Sequence, residues 1–307
     1  MKRMNVKMIG MAALTLALAA CNSDENLPQA TDDRVALQVT SGIQSRAIGN
    51  TWQEDDAIGI YMVNAGTTTV AESAENRKYT TADGSSTFSA IPDQVIYLPV
   101  DGSNVDFIAY YPQQDLTGGS MTIDVSDQSD LPKIDLMAAK AKSPTDKPYN
   151  KNNPLVAFHF YHKLTKLELN IDPGTGLTPA DLEGLKVEIT NQRTGASYAP
   201  LTETLALTSS ETTQNVTLNI TTDGTAAEAI LLPNSEGFNP RIAGRELVFT
   251  LKQTGEVFRW AIPEDKDFKA GDRNIYNITV NRTGLTVTAT IEDWNPGNDG
   301  GESGSAE

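Results

Sequence analysis

The strongest constraint on the fold is an alternation of apolar and polar side chains that runs through most of the chain from residue 34 onward. Because successive side chains of a β-strand point to opposite faces, a two-residue period predicts strands with one buried face. The clearest apolar sets are Val35, Leu37 and Val39; Ile58, Ile60 and Met62; Val105, Phe107, Ala109 and Tyr111; Met121, Ile123 and Val125; Leu185, Val187 and Ile189; Val216, Leu218 and Ile220; Leu247, Phe249 and Leu251; Tyr276, Ile278 and Val280; and Leu285, Val287, Ala289 and Ile291. Turn-forming Gly, Asn and Asp lie near these sets, and helical apolar stripes are almost absent. The sequence therefore predicts an all-β fold of antiparallel sandwiches.

Length and linker composition predict two domains. A chain of 307 residues exceeds what one small sandwich needs. The segment 138–154 is basic, contains prolines and has few apolar residues, which indicates a surface loop near a domain boundary. We expect an N-terminal β-sandwich domain over residues 34–154 and a C-terminal β-sandwich domain over residues 155–294.

The strand after this linker changes its apolar phase. Its apolar side chains occupy even positions up to Leu164 and odd positions from Leu167 onward. A single flat strand would expose half of them to water, so the change predicts a bulge or a bend. We interpret this segment as the crossover between the two sandwiches.

The first 20 residues have the pattern of a lipoprotein signal peptide. A basic start is followed by an apolar stretch from Met8 to Ala20, which is too short to span a bilayer comfortably. Small residues then precede Cys21, whose thiol is the expected site of lipidation. Residues 21–33 are predicted to be a flexible tether between the acylated cysteine, held in membrane lipid, and the folded part. An ordinary secretory leader that ends by chance at a cysteine is the alternative.

Composition excludes several classes of protein. The formal net charge of −16 at pH 7 repels nucleic acid. With 39% hydrophobic and 21% charged residues, the chain should fold in water and is not a multi-span membrane protein. A single cysteine cannot form an internal disulfide. The polar tail at residues 295–307 is rich in Gly, Ser and acidic residues and is predicted to be disordered.

No residue pattern indicates catalysis or a cofactor. The two histidines of the chain, His159 and His162, are three residues apart and would face opposite sides of a strand, so a shared metal ion is not expected. The sequence also lacks a nucleophile elbow, a phosphate-binding loop and a zinc-protease motif. We therefore expect no enzyme activity, no cofactor and no transition-metal site.

Two further clusters have both a functional and a structural interpretation. Asp124, Asp127 and Asp130 could supply oxygen ligands to calcium, but their spacing departs from the established loop, which favours a solvated acidic turn. The aromatic residues Tyr110 and Tyr111 could stack on a sugar, although a sandwich core explains them more simply.

Several segments, taken in order, resemble the fimbrillin family, the Mfa-like pilus subunits of Bacteroidetes. The matching segments are Trp52 with residues 56–62 (DAIGIYM), residues 106–112 (DFIAYYP), residues 135–138 (DLMA), residues 158–164 (FHFYHKL) and residues 291–294 (IEDW). The acidic stretch 22–26 (NSDEN) likewise resembles the surface-export signal of Bacteroidetes lipoproteins. The resemblance implies two sandwiches of transthyretin-like topology, a lipid anchor in the outer membrane, and a surface fibre, or fimbrium, assembled by strand exchange with other pilus subunits.

The resemblance also implies a proteolytic step. In that family a trypsin-like protease cuts after an arginine downstream of the first strand, and the matching bond here joins Arg46 to Ala47. Cleavage would remove the lipid tether and the strand that contains Val35, Leu37 and Val39, which would leave a groove with unpaired backbone groups. The best donor strand for such a groove contains Leu285, Val287, Ala289 and Ile291. Two interpretations of Arg46 stay open, a cleavage site and an ordinary loop arginine.

The leading interpretation is a structural or adhesive pilus subunit. The alternative is a surface lipoprotein that stays anchored at Cys21, never polymerises and binds a host or bacterial glycan or protein. A carbohydrate-degrading enzyme would need two carboxylates that face one cleft, and the sequence singles out no such pair.

Overall fold

The alternating segments form strands, which confirms the predicted all-β class: 48% of the described residues are in strands and 3% are in helices. The computed structural model describes residues 33–43, 51–208, 212–235 and 237–294. The predicted signal peptide, Cys21, most of the tether, the Arg46–Ala47 bond and the polar tail lie outside the described residues. Within the described part, no helix is both long enough and apolar enough to cross a membrane.

The described part of the chain contains mostly β-strands and two short helices. In chain order they are β1 (Gln38–Ile43), β2 (Ala57–Asn64), β3 (Arg77–Thr80), β4 (Thr87–Ala90), β5 (Val105–Tyr111), β6 (Met121–Asp124), α1 (Leu131–Ile134), β7 (Met137–Ala141), β8 (Leu155–His162), β9 (Thr165–Pro173), α2 (Pro179–Leu182), β10 (Lys186–Gln192), β11 (Gly195–Ala199), β12 (Thr204–Leu207), β13 (Gln214–Thr217), β14 (Asn219–Ile220), β15 (Ala226–Leu231), β16 (Glu246–Thr250), β17 (Val257–Ala261), β18 (Asp272–Asn281) and β19 (Gly284–Asp293).

Seven strands of the N-terminal half close into a barrel in the order β1-β4-β3-β2-β5-β7-β8. Strand β1 closes it, because β1 pairs antiparallel with β4 and parallel with β8. The predicted antiparallel transthyretin-like sandwich is therefore not reproduced in that form. The alternation of side chains is the same in a sandwich and a barrel, so only the pairing of β1 with both neighbours distinguishes them.

The barrel interior is filled by the predicted inward-facing side chains. Ile58, Ile60 and Met62 of β2 are fully buried there. Trp52 lies among three aromatic rings, those of Phe88, Tyr111 and Phe160, with ring centroids 5.0–5.4 Å away and edge-on geometry. Edge-to-face contacts of this kind add stability beyond the burial of apolar area.

The C-terminal half contains two sheets that share a second core. A four-stranded sheet has the order β13-β10-β16-β17, and a five-stranded sheet has the order β14-β15-β9-β18-β19. Val187 and Phe249 of the first sheet and Leu169 and Ile278 of the second belong to one buried cluster. Strands β9 and β18 pair in parallel, so the prediction of purely antiparallel pairing is wrong here as well.

A third core joins these two halves. Strand β6 pairs with β11, and β11 pairs with β12, so a segment that follows the barrel strand β5 is hydrogen-bonded to the C-terminal half. Tyr61 and Ile108 on the outer face of the barrel share a buried cluster with Tyr198, Ile230 and other C-terminal residues. The residues from Arg34 onward form one compact unit. The division into two domains therefore remains a prediction.

The apolar phase change corresponds to a break between two strands. Strand β8 ends at His162, and β9 begins at Thr165 in a different sheet. The predicted boundary at residue 154 assigns β8 to the second domain, whereas its pairing with β1 and β7 and its buried side chains place it in the barrel. We therefore propose that the boundary lies at residues 163–164.

Candidate functional site

Strand β1 lies between two neighbours and is hydrogen-bonded on both sides. Its residues Gln38–Ile43 are in parallel register with Leu155–Phe160 of β8. On its other side, Val39 lies opposite Phe88 of β4. The extended chain before it is also paired, since the Leu37 N–H donates to the Ile96 carbonyl at 2.9 Å. The segment from Val35 to Ile43 is therefore an integral part of the barrel wall.

The structure places the side chains of the predicted displaced strand in the barrel core. Leu37 is 6% exposed, Val39 is 3% exposed, and Val35 packs against the same cluster as a partly buried residue. Sequence analysis missed two further members of this face, Ser41 and Ile43. Their odd positions continue the alternation, but a serine does not stand out in an apolar pattern.

Ser41 is an unusual residue for this position. It is 3% exposed and lies opposite Phe158 of β8. Its hydroxyl has no hydrogen-bond partner among the residues that the structure describes. A buried hydroxyl without a partner costs about 1–3 kcal/mol, so β1 fills its place in the barrel less well than an apolar strand would.

The proposed cleavage site lies between two anchored positions. Ile43 ends β1 and packs partly buried against the barrel core, and Trp52 is 6% exposed inside the barrel. Arg46 and Ala47 themselves lie outside the described residues. The chain on both sides of the proposed scissile bond is thus held by the same barrel.

The proposed donor strand, β19, lies at the edge of the five-stranded sheet. It pairs with β18 at ten register positions, from Asp272 opposite Asp293 to Asn281 opposite Gly284. Leu285 and Val287 are partly buried against the C-terminal core, whereas Ala289 is exposed and Ile291 is 55% exposed. The structure therefore places the four predicted donor residues in the sandwich of their own chain, with only two of them covered.

Trp294 directly follows this edge strand and is buried, with 2% of its surface exposed. Its ring stacks on His162 with a centroid distance of 3.6 Å and an interplanar angle of 10°. His162 Nδ1 lies 2.9 Å from Asp135 Oδ1, and the backbone N–H of Trp294 donates to the Gly271 carbonyl at 2.6 Å. The sequence motifs contain Trp294, His162 and Asp135, but no spacing in the sequence indicates that they meet.

The remaining candidate residues lie apart from one another. His159 is exposed on β8 while His162 is buried, so they face opposite sides as predicted. Asp124 and Asp127 each accept a backbone N–H two residues later, and Asp130 pairs with Lys133. Among the described residues, no group of three or more His, Cys, Asp or Glu side chains could hold a metal ion.

One open cavity of about 550 Å³ lies on the outer face of the barrel. Its lining residues are Val63, Gly66, Thr67, Thr68, Thr69, Asp106, Phe107, Ile108, Lys140 and Lys142. Asp106 accepts the N–H groups of Gly66 and Ser143, each at 2.7 Å. Lys140 pairs with Glu203, whereas no described carboxylate lies within ion-pair distance of Lys142. The cavity thus presents the ammonium group of Lys142, which has no ion-pair partner among the described residues, and the paired ammonium group of Lys140, beside threonine hydroxyls and an apolar floor.

The outer face of the five-stranded sheet has alternating charges on neighbouring strands. Lys166 pairs with Glu228 and Glu168 at 2.9 and 3.0 Å, and Arg273 pairs with Glu168 and Glu292 at 2.8 and 3.1 Å. Burial alone would raise the pKa of Glu168, but its bonds with Arg273 and Lys166 hold that pKa below its ordinary value. This row ties β15, β9, β18 and β19 together when Glu168 is ionised.

Comparison with known proteins identifies the family. Residues 45–294 match the model of the family described as "Fimbrillin-like". A curated relative from Bacteroides uniformis, described as "Putative fimbrium subunit Fim1C", is 44% identical over 305 residues, which cover 95% of this chain and 96% of the relative.

Solved structures have the same fold. A crystal structure described as a "putative cell adhesion protein" from Bacteroides uniformis has a TM-score of 0.75 and 41% identity, over 87% of this chain and 100% of that one. A second such structure, from Bacteroides ovatus, has a TM-score of 0.65 over 85% of this chain and 98% of that one, and its 22% identity supports the fold alone. The resemblance found in the sequence is thus confirmed, and the chain belongs to the fimbrillin-like family.

Proposed function

We propose that this protein is a structural or adhesive subunit of a cell-surface pilus that assembles by strand exchange after cleavage between Arg46 and Ala47. The family and the relative described as a fimbrium subunit support a pilus or adhesin subunit at the cell surface. The observation that favours strand exchange is the position of β1, a strand close to the proposed cleavage site that closes the barrel from both sides.

Loss of β1 would create a specific binding groove. Strands β4 and β8 would each expose one row of backbone donors and acceptors, and the holes left by Leu37 and Val39 would expose core side chains. An incoming strand with apolar residues at alternate positions satisfies both requirements at once. The Ser41 hydroxyl has no hydrogen-bond partner in the described part of the chain, which supports the view that β1 is an imperfect occupant and favours replacement by an apolar donor.

Strand β19 is the donor that we propose. Its apolar residues have the required alternation: Leu285, Val287, Ala289 and Ile291. Ala289 and Ile291 are already exposed in the uncleaved chain. If β19 left its own sandwich, it would lose its pairing with β18, and Trp294 would lose its burial. If β19 instead stays in its own sandwich, the subunit accepts a strand without donating one and ends a fibre.

The remaining parts of the proposal concern export. Lipidation at Cys21 would hold the precursor to outer-membrane lipid until cleavage at Arg46 releases it into the fimbrium.

We also propose that, within the family, the barrel and the C-terminal sheets are variants of the transthyretin-like sandwich. No catalytic step and no cofactor belong to this proposal.

The test compares cleaved and uncleavable protein. We expect chain cleaved at Arg46 to form detergent-resistant oligomers, because a strand inserted into the groove is held by two rows of backbone hydrogen bonds. Arg46→Ala protein should keep β1 and remain monomeric. Arg34→Ala is the matched control, since Arg34 lies at the start of the same segment but outside the proposed site, and it should be cleaved and assemble normally.

Two results would contradict the proposal. Cleaved protein that remains monomeric at high concentration together with its pilus partners excludes strand exchange. Oligomers that persist after truncation at Val280 exclude β19 as the donor.

The cavity on the barrel favours a second candidate function, adhesion to a glycan by the anchored protein. The Lys142 ammonium group, with which no described carboxylate pairs, suits an acidic sugar better than a neutral one, and threonine hydroxyls and the apolar Val63 and Ile108 lie beside it. A glycan array should then show acidic ligands that wild-type protein binds and Lys142→Ala does not. Lys147→Ala is a matched surface control. Equal array profiles for wild type and Lys142→Ala would exclude this site.

A further inference from the structure

The end of strand β19 is held by contacts with the barrel half of the molecule. His162, which stacks on Trp294, is the last residue of β8. Asp135, which contacts the His162 ring, lies just before β7. We call the set His162, Asp135 and the Gly271 carbonyl the Trp294 socket. The socket joins an edge strand of the C-terminal sheet to two strands of the barrel.

Strand β8 connects the socket to β1. Its residues Leu155–Phe160 pair with β1, and its last residue, His162, supports Trp294. Strand β8 is therefore in register with β1 along most of its length, and with β7 only at its end, where His162 lies opposite Met137. A change that frees one edge of β8 acts directly on the strand that carries the His162 ring.

A small cavity is lined both by the end of β1 and by the region of the Trp294 socket. It has a volume of about 220 Å³, and its lining includes Ile43, Trp52, Met137 and Trp294. Ile43 is the last residue of β1. This cavity is already partly open to solvent, and if β1 leaves, the wall formed by Ile43 is lost as well. The space beside Trp294 then becomes wider and more accessible to water, which lowers the free energy gained by burying its ring.

We propose that Trp294 in its socket holds β19 in its own chain as long as β1 is present, and that loss of β1 weakens this hold. The inference rests on the proposed function, since it assigns a regulation to the same strand exchange. Cleavage would then have two effects, an open groove and a more readily released donor strand. A precursor with β1 in place would be poor both as acceptor and as donor, which suppresses premature assembly.

Linkage makes the inference testable without assembly. If β1 stabilises Trp294 in its socket, then Trp294 must stabilise β1 by the same free energy, because coupling between two sites is reciprocal. Substitution of Trp294 in the uncleaved chain should therefore loosen β1, although the described parts of β1 and β19 belong to different sheets.

The experiment is hydrogen exchange on purified, uncleaved chain. In Trp294→Ala we expect the amides of β19 to exchange at least about tenfold faster than in wild type, and those of Gln38–Ile43 severalfold faster. Trp260→Ala is the matched control, because Trp260 packs edge-on against Tyr276 at 5.3 Å in the same half of the molecule but outside the socket. It should leave β1 protection unchanged.

Three more variants keep the inference falsifiable if Trp294→Ala does not fold. Trp294→Phe keeps a smaller ring in the socket and should give an intermediate effect. His162→Phe keeps a flat stacking surface and should retain more protection in β19 than His162→Ala. Unchanged β1 exchange in all Trp294 variants, or an equal change in Trp260→Ala, would overturn the inference.

Assembly separates this inference from the proposed function. Cleaved Trp294→Ala should form oligomers faster than cleaved wild type. Altered exchange in the uncleaved variant with no oligomers from any cleaved protein would exclude strand exchange and retain the coupling. Normal exchange together with equal assembly rates would exclude the coupling and retain strand exchange.

Discussion

Two strands near opposite ends of the described chain have similar apolar alternation but very different surroundings. Strand β1 lies inside a closed barrel with neighbours on both sides, whereas β19 lies at a sheet edge with β18 on one side. Leu37 and Val39 are buried, while Ala289 and Ile291 are exposed. The comparison shows that β1, the strand proposed for removal, is held more firmly than β19. Proteolysis suits its removal, because cleavage of the peptide bond is effectively irreversible.

The largest predicted difference comes from the same leucine truncation made directly before β1 and within β19. Leu37→Ala should lower the free energy of unfolding by about 3 kcal/mol, because it leaves a cavity in the barrel core. Leu285→Ala should cost about 1 kcal/mol, since this side chain is only partly buried. Urea unfolding of both variants measures the difference, and equal costs would contradict the contrast between the strands.

The second prediction is that a substitution in β1 can raise the free energy of unfolding. Ser41→Val removes the buried hydroxyl that has no described partner and should stabilise the uncleaved protein by about 1 kcal/mol. Ser41→Ala is the matched control, which removes the hydroxyl without adding volume. Thermal unfolding gives the stability, and cleaved Ser41→Val should assemble like wild type because the substituted strand has been removed. A destabilised Ser41→Val would show that the site needs the hydroxyl.

Acid should loosen the sheet of β19 more than the barrel. The pKa of Glu168 is held below its ordinary value, so its ion pairs contribute stability that is lost as the pH falls below about 4.5 and through the lowered pKa. Glu168→Gln should be less stable than wild type at neutral pH, and this difference should shrink as the pH falls. Hydrogen exchange in β9 and β18 across that range measures the effect. A constant difference at all pH values would exclude the ionisation of Glu168 as its cause.

The smallest effect is expected at the exposed end of β19. Ile291→Thr should change the free energy of unfolding by less than about 0.5 kcal/mol, because the side chain is 55% exposed. The same variant should weaken oligomers of cleaved protein if Ile291 enters a groove of another subunit. Unfolding and oligomer dissociation measured on one preparation separate these roles. Equal oligomer stability would exclude Ile291 from the intersubunit contact.

Sequence reasoning identified the buried face of β1 because Val35, Leu37 and Val39 differ sharply from their polar neighbours. It did not include Ser41, since a serine in a core position has no apolar signal. It identified the segments that contain His162, Asp135 and Trp294 through the family resemblance, yet gave them no common role. Their contact depends on the bend at residues 163–164 and on the return of the chain through β18 and β19.

Gln128 shows the same limitation in the core between the two halves. It is 3% exposed and exchanges hydrogen bonds with the backbone of Ile230, which is 102 residues away. A polar residue in a turn-rich segment normally predicts exposure to solvent. Only the tertiary approach of β15 supplies the carbonyl and N–H that make its burial favourable.

The sequence by itself determined the all-β class, the inward faces of the strands, the family and the candidate positions at both ends of the chain. These properties depend on local alternation and on short motifs, which can be recognised without knowing which strands are neighbours. Tertiary structure decided that β1 closes a barrel, that β9 and β18 pair in parallel, and that Trp294 lies beside the strand that holds β1. Strand pairing depends on the free energy of contacts between distant segments, and the same alternation is compatible with several pairings.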